Sequence, residues 1–108
     1  VHFRQIGFDV GRPEWDDQQE ILRYLHASKQ LTFITRDLGF YRYRLCHKSY
    51  CLVALTVPVL ETADYVQKLL RHREFSTRAL RSGKVILVST VRIAYWQLGR
   101  PRQSVSHW

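Results

Sequence analysis

Apolar residues occur along the chain in two patterns, unbroken runs and helical spacings. Unbroken runs at 6–10, 31–35, 51–57, 84–89 and 91–96 predict strands, several of them buried on both faces. Apolar residues share one helical face at 16–28 and at 61–72, and a shorter helix is predicted over 73–81. This alternation of strands and helices favours an α/β fold with a mostly parallel central sheet and helices on its faces.

The length and the turn signals predict one domain. The 108 residues suffice for a single modest core. We assign residues 1–98 to that domain and 99–108 to a polar tail that we expect to be frayed. No apolar run approaches the roughly 18 residues of a membrane span, and the two cysteines are too few for a disulfide scaffold. We therefore expect a cytoplasmic protein that does not associate with membranes.

Positive charge is concentrated after residue 37. The whole chain carries a net charge of +8, of which residues 1–37 contribute −1 and residues 38–108 contribute +9. An acidic region beside a basic one suits a metal-dependent enzyme that acts on phosphodiesters, because carboxylates bind the cation and bases bind the backbone. A solvated basic surface that only keeps the protein soluble is the alternative.

Three carboxylates are candidates for a metal site. Asp16 and Asp17 lie at the predicted start of a helix, and Asp37 follows a predicted strand. Ligands bind at the carboxyl ends of strands in parallel α/β sheets, and carboxylate oxygens are the ligands that Mg²⁺ or Mn²⁺ prefers. The alternatives are structural, since Asp16 is a typical helix cap and Asp37 a typical turn residue.

The order of these features resembles a known family. The run Gln5-Ile6-Gly7-Phe8-Asp9-Val10, the helix start Asp16-Asp17 with Glu20-Ile21-Leu22, and the strand Thr32-Phe33-Ile34-Thr35-Arg36-Asp37 are similar to the PIN-like domains of the DUF5615 and Mut7-C group. Many members are toxin components of bacterial and archaeal toxin–antitoxin pairs. The resemblance covers roughly residues 3–95, and its most specific element is Thr35-Arg36-Asp37.

The resemblance implies a fold, an activity and a site. The fold is a three-layer sandwich with a mostly parallel sheet and helices on both faces, and the activity is Mg²⁺-dependent cleavage of RNA. Asp17 and Asp37 correspond to the catalytic acids, and Asp16, Asp17 and Asp37 to the metal ligands. RNA, a cognate antitoxin protein and a second copy of the chain are the expected partners. The family usually begins with an acid-bearing strand, which nothing before Val1 supplies.

A separate segment predicts contact with nucleic acid. Aromatic and basic residues alternate in Phe40-Tyr41-Arg42-Tyr43-Arg44, and His47, Lys48 and Tyr50 follow. Such a segment can stack bases and bind phosphates of single-stranded RNA. We take the nucleic-acid-binding residues to be Arg36, Arg42, Tyr43, Arg44 and Lys48. An ordinary basic loop whose tyrosines pack on the core is the alternative, and Trp96 and Tyr95 are expected in the core or an interface.

Two functions therefore compete. The first is a metal-dependent endoribonuclease of toxin type. The second is a catalytically inactive module of the same fold that binds nucleic acid or an antitoxin. Gly39 favours the second, because it occupies a position where the family often has another acid. A structural subunit completed by a partner chain is a third possibility.

Overall fold

The computed structural model describes Ile21 and residues 31–108 of the chain. The predicted strand 6–10 lies outside these residues, as does the predicted helix 16–28 apart from Ile21, which is helical and buried. The described strands form one five-stranded sheet in sequential order: β1 (Leu31–Thr35), β2 (Tyr50–Leu55), β3 (Lys84–Val88), β4 (Ile93–Gln97) and β5 (Arg100–Ser106).

The sheet is mixed, so the prediction of a mostly parallel sheet is wrong. The pairs β1–β2 and β2–β3 are parallel, whereas β3–β4 and β4–β5 are antiparallel. The reason is the length of the connections. Only residues 89–92 join β3 to β4, and only residues 98–99 join β4 to β5. A parallel crossover needs about a dozen residues or more, so these short links can only form hairpins.

One helix of substantial length lies in the described part of the chain. Helix α1 spans Thr62–Arg71 and α2 spans Arg78–Arg81. The predicted helix 73–81 is thus correct only in its last turn. Short 3₁₀ turns occur at Leu38–Phe40, Tyr43–Leu45 and Val59–Glu61. No helix of residues 31–108 is long and apolar enough to cross a membrane.

The two faces of the sheet are covered in different ways. On the first face, α1 packs Tyr65, Val66 and Leu69 against a cluster that includes Val53 and Ile86. The second face carries a cluster of residues from the strands, from segment 38–46 and from Ile21: Ile21, Phe33, Phe40, Tyr50, Leu52 and Val85, with Tyr41, Leu45, Cys46 and Trp96 against it. Apart from the single helical residue Ile21, the described cover consists of 3₁₀ turns and loop. The predicted three-layer sandwich with helices on both faces is therefore wrong.

The segment expected to be a frayed tail is instead the edge strand β5. Gly99 makes the preceding turn possible, since its φ of +83° lies in the left-handed region that favours glycine. The strand is polar, and most of its side chains are exposed. The pairing with β4 is irregular between Tyr95 and Gln97, which places residues 101–103 of β5 beside Trp96.

Candidate nucleic-acid interface

Segment 38–48 crosses the second face of the sheet and brings two tyrosines to Trp96. The ring centroid of Tyr43 lies 5.6 Å from that of Trp96 in an edge-to-face arrangement, and the Tyr41 centroid lies 6.4 Å away. The Tyr41 hydroxyl donates a hydrogen bond of 2.7 Å to Oε1 of Gln103, which ties the segment to β5. Trp96 is therefore the centre of an aromatic group built from segment 38–48 and the β4–β5 hairpin.

This aromatic group is partly open to solvent. Tyr43 is 39 % exposed, Tyr41 and Trp96 are half-buried, and Val105 on β5 is 47 % exposed. A fully packed core would leave no aromatic ring surface for a ligand. Here the rings are fixed by their neighbours and still offer surface on which a flat base can stack.

Basic residues flank the open rings. Arg42 and Arg44 are exposed on either side of Tyr43, and Arg100 and Arg102 are exposed on β5. Arg42 and Arg44 adjoin Tyr43 directly in sequence, and both are free to approach a phosphate from solvent. We call the group formed by Tyr41, Arg42, Tyr43, Arg44, Trp96 and Gln103 the Trp96 surface.

One of the predicted nucleic-acid-binding residues, Arg36, lies away from this group. Arg36 follows β1 at the carboxyl end of the parallel strands, where Nη2 donates to the Val57 carbonyl at 2.6 Å and Nη1 to the Thr62 hydroxyl at 3.1 Å. It connects β1 to the start of α1. Trp96, in contrast, pairs with Val85 near the amino end of β3. Lys48 is exposed just before β2.

Asp37 follows β1 directly, as predicted, but its side chain has a local role. Its Oδ1 accepts a hydrogen bond of 2.8 Å from the Gly39 N–H and so caps the 3₁₀ turn at Leu38–Phe40. The backbone N–H of Asp37 donates to the Thr35 hydroxyl at 3.0 Å. The capped residue is Gly39, the same residue that occupies the position where a further acid was expected. This is the turn-forming role that the sequence left open for Asp37.

The predicted metal site lies only partly within the described residues. Asp16 and Asp17 lie outside them, so their position relative to Asp37 is not described. Within residue 21 and residues 31–108, no group of three or more His, Cys, Asp or Glu side chains is positioned to bind a metal ion. Asp37, with one oxygen engaged as a cap, does not form a site with other described residues. Magnesium binding stays a prediction from the sequence.

The cap yields a stability prediction for Asp37. In EDTA, Asp37→Ala should lower the free energy of unfolding by about 1 kcal/mol, because the Gly39 N–H loses its acceptor. Asp37→Asn keeps an oxygen at the same place and should lower the free energy of unfolding by only a few tenths of the loss in Asp37→Ala. Chemical denaturation of the three proteins measures both values. Equal losses in the two variants would show that the charge, and not the cap, stabilises this turn.

The two cysteines are free thiols and offer no nucleophile near the Trp96 surface. Burial raises the pKa of Cys51 to about 12 and also raises the pKa of Cys46. Both groups are therefore protonated thiols at neutral pH, and the thiolate is the reactive form. Neither cysteine is therefore activated as a nucleophile.

Sequence reasoning found one side of this group and missed the other. Arg42, Tyr43 and Arg44 were predicted from their alternation, and the structure places the Tyr43 ring against Trp96. Trp96 was expected in the core or an interface, but its contacts with segment 38–48 and the contribution of Gln103 were missed, the latter because the tail was expected to be frayed. The signal that would have found them is Leu98-Gly99, a short turn between two segments, which is typical of a hairpin.

Comparisons of this chain with protein-family models, with curated proteins and with solved structures give no match.

Proposed function

We propose that this protein binds single-stranded RNA through the Trp96 surface. The observation that carries the proposal is the exposed ring of Tyr43, held against Trp96 at 5.6 Å between two exposed arginines. Stacking on aromatic rings and neutralisation of phosphates by bases are the two interactions that single-stranded nucleic acids use most. The alternative, an ordinary basic loop whose tyrosines pack on the core, would bury Tyr43, whereas Tyr43 is 39 % exposed.

The charge distribution supports the same function. Residues 38–108 carry a net charge of +9, which attracts a polyanion over the whole described sheet. The aromatic group adds a preference for single strands to this electrostatic attraction, because only unpaired bases can stack on Tyr43 and Trp96. The proposal places the protein in the cytoplasm, where RNA is available and its two free thiols stay reduced.

Cleavage of RNA is the competing function, and nothing among the described residues favours it over binding. Of the predicted catalytic pair Asp17 and Asp37, only Asp37 lies within the described residues, and its side chain caps a 3₁₀ turn. We therefore propose the binding module. A cognate acidic antitoxin and a second copy of the chain remain predicted partners, and either would compete with RNA if it covered the Trp96 surface.

A salt titration tests the proposal. A fluorescently labelled ten-nucleotide RNA should bind with an affinity that falls as salt rises, with a log–log slope of roughly −0.7 for each phosphate contact. The double variant Arg42→Ala/Arg44→Ala should reduce the magnitude of this slope by about 1.4, because two contacts are lost. Tyr43→Ala should weaken binding about tenfold through lost stacking.

The matched control is Arg71→Ala/Arg73→Ala. Both arginines are exposed, and their replacement removes the same charge. They lie at and just after the end of α1, on the first face of the sheet. The control should therefore bind much more like the parent protein than the Arg42/Arg44 variant does. Equal losses in the two double variants would contradict the proposal, as would tighter binding of a duplex. RNA cleavage that requires Mg²⁺ and is lost in Asp37→Asn would favour the nuclease instead.

A further inference from the structure

Gln103 has a fixed orientation beside the aromatic group. Its Oε1 accepts the 2.7 Å hydrogen bond from the Tyr41 hydroxyl. Burial raises the pKa of Tyr41 to about 12, so this hydroxyl keeps its proton at neutral pH and can act as the donor. With the amide oxygen held toward Tyr41, the amide NH₂ points away from it. A side-chain NH₂ has two donors and accepts nothing.

The register of the hairpin places this amide next to the stacking surface. Residues 101–103 of β5 lie beside Trp96, between the paired positions Tyr95–Ser104 and Gln97–Arg100. Tyr41, the residue that holds the amide, also packs its ring on Trp96. A base that stacks on Trp96 next to Tyr41 would therefore lie within reach of the Gln103 amide.

We propose that Gln103 makes the Trp96 surface prefer bases with a carbonyl at position 4 of a pyrimidine or position 6 of a purine, uracil and guanine, over cytosine and adenine, which carry an amino group at that position. This inference rests on the proposed function. The Gln103 NH₂ can donate to the O4 atom of uracil or the O6 atom of guanine. Against the amino group of cytosine or adenine, two donors face each other and one hydrogen bond is lost.

Uracil and cytosine are the sharpest pair of ligands for a test. Both are pyrimidines of nearly the same stacking area, and they differ at position 4, which is a carbonyl in uracil and an amino group in cytosine. Ten-nucleotide oligouridine should bind the parent protein about fivefold more tightly than oligocytidine, the ratio expected for one hydrogen bond. Both are measured at one salt concentration, so that the phosphate contribution is the same.

Two variants separate recognition by Gln103 from a structural role. Gln103→Glu has the same shape, still accepts from Tyr41 and presents only acceptors, so the preference should reverse toward oligocytidine while overall affinity falls. Tyr41→Phe keeps the ring and removes the donor, so the amide can turn and the preference should shrink toward onefold. A merely structural Gln103 would lower the affinity for both oligonucleotides equally.

The outcomes distinguish the inference from the function on which it rests. Equal binding of the two oligonucleotides by the parent protein overturns the inference and leaves RNA binding intact. A uridine preference that persists in Gln103→Glu also overturns it. Failure of both oligonucleotides to bind the folded parent protein overturns the proposed function and the inference together.

Discussion

Leu69→Ala should destabilise the protein by about 3 kcal/mol, within the usual 2–5 kcal/mol for a fully buried leucine. The Leu69 side chain has no exposed surface and lies in the cluster between α1 and the first face of the sheet. Truncation removes its contacts and leaves a cavity that rigid strands cannot fill. Because small domains are stable by only about 5–15 kcal/mol, this is a large fraction of the total.

Leu60→Ala is the matched control for this substitution. The chemical change is the same, but Leu60 is 97 % exposed in the 3₁₀ turn before α1. Its truncation should change the free energy of unfolding by less than about 0.5 kcal/mol. Urea denaturation of both variants gives the two values. A loss at Leu60 that matches the loss at Leu69 would contradict the packing of α1 described above.

Arg81 gives the second large effect, since its charge is fully buried. The guanidinium has no exposed surface; Nε donates to the Thr32 hydroxyl at 3.0 Å and Nη1 to the Phe75 carbonyl at 2.8 Å. Nη2 is buried and has no hydrogen-bond partner among the described residues, and burial lowers the pKa of Arg81. No carboxylate of the described residues forms an ion pair with it. Such a charge is costly to bury.

Replacement of Arg81 should therefore depend on volume more than on charge. Arg81→Ala leaves a cavity where the side chain was and should cost about 3 kcal/mol. Arg81→Met fills most of that volume without a charge and should stay within about 1 kcal/mol of the parent protein, or be more stable. Denaturant unfolding of the two variants compares them directly. A methionine variant as unstable as the alanine variant would show that the cation is well matched in the folded state.

The strands could be predicted because a buried strand is an unbroken run of apolar residues in the sequence. The strand predicted at 31–35 is observed as Leu31–Thr35, and the predicted run 51–57 contains most of Tyr50–Leu55. Every residue of Tyr50–Leu55 is buried, because this strand is central and both faces of the sheet are covered. Helix 61–72 was predicted within one residue at each end for a similar reason, its apolar stripe facing the sheet.

Strand direction and the edge strand were predicted incorrectly. Buried strands have the same apolar pattern in parallel and antiparallel sheets when both faces are covered, so composition does not fix direction. The short links at 89–92 and 98–99 carry that information. β5 was missed because Arg100–Ser106 is polar apart from Pro101 and Val105, as an exposed edge strand can be. With β5 missed, the site was sought at the carboxyl ends of the strands, away from Trp96.

The candidate site was predictable only in its local part. Arg42, Tyr43 and Arg44 are adjacent in sequence, so their alternation is visible without a fold. Trp96 and Gln103 join them through contacts that span more than fifty residues, such as the hydrogen bond between Tyr41 and Gln103. Contacts of this range depend on the register of the β4–β5 hairpin, which the sequence pattern did not specify.

Chemical-shift mapping of the tryptophan indoles tests RNA binding at the Trp96 surface most directly. Trp108 is the internal control, because its Nε1–H donates to the Ser89 carbonyl and its ring packs on Tyr65 and His72. Titration of ¹⁵N-labelled protein with single-stranded RNA should shift the Trp96 indole signal and leave the Trp108 signal in place. A shift of the Trp108 signal without a shift of the Trp96 signal, or no shift of either signal, would contradict RNA binding at the Trp96 surface.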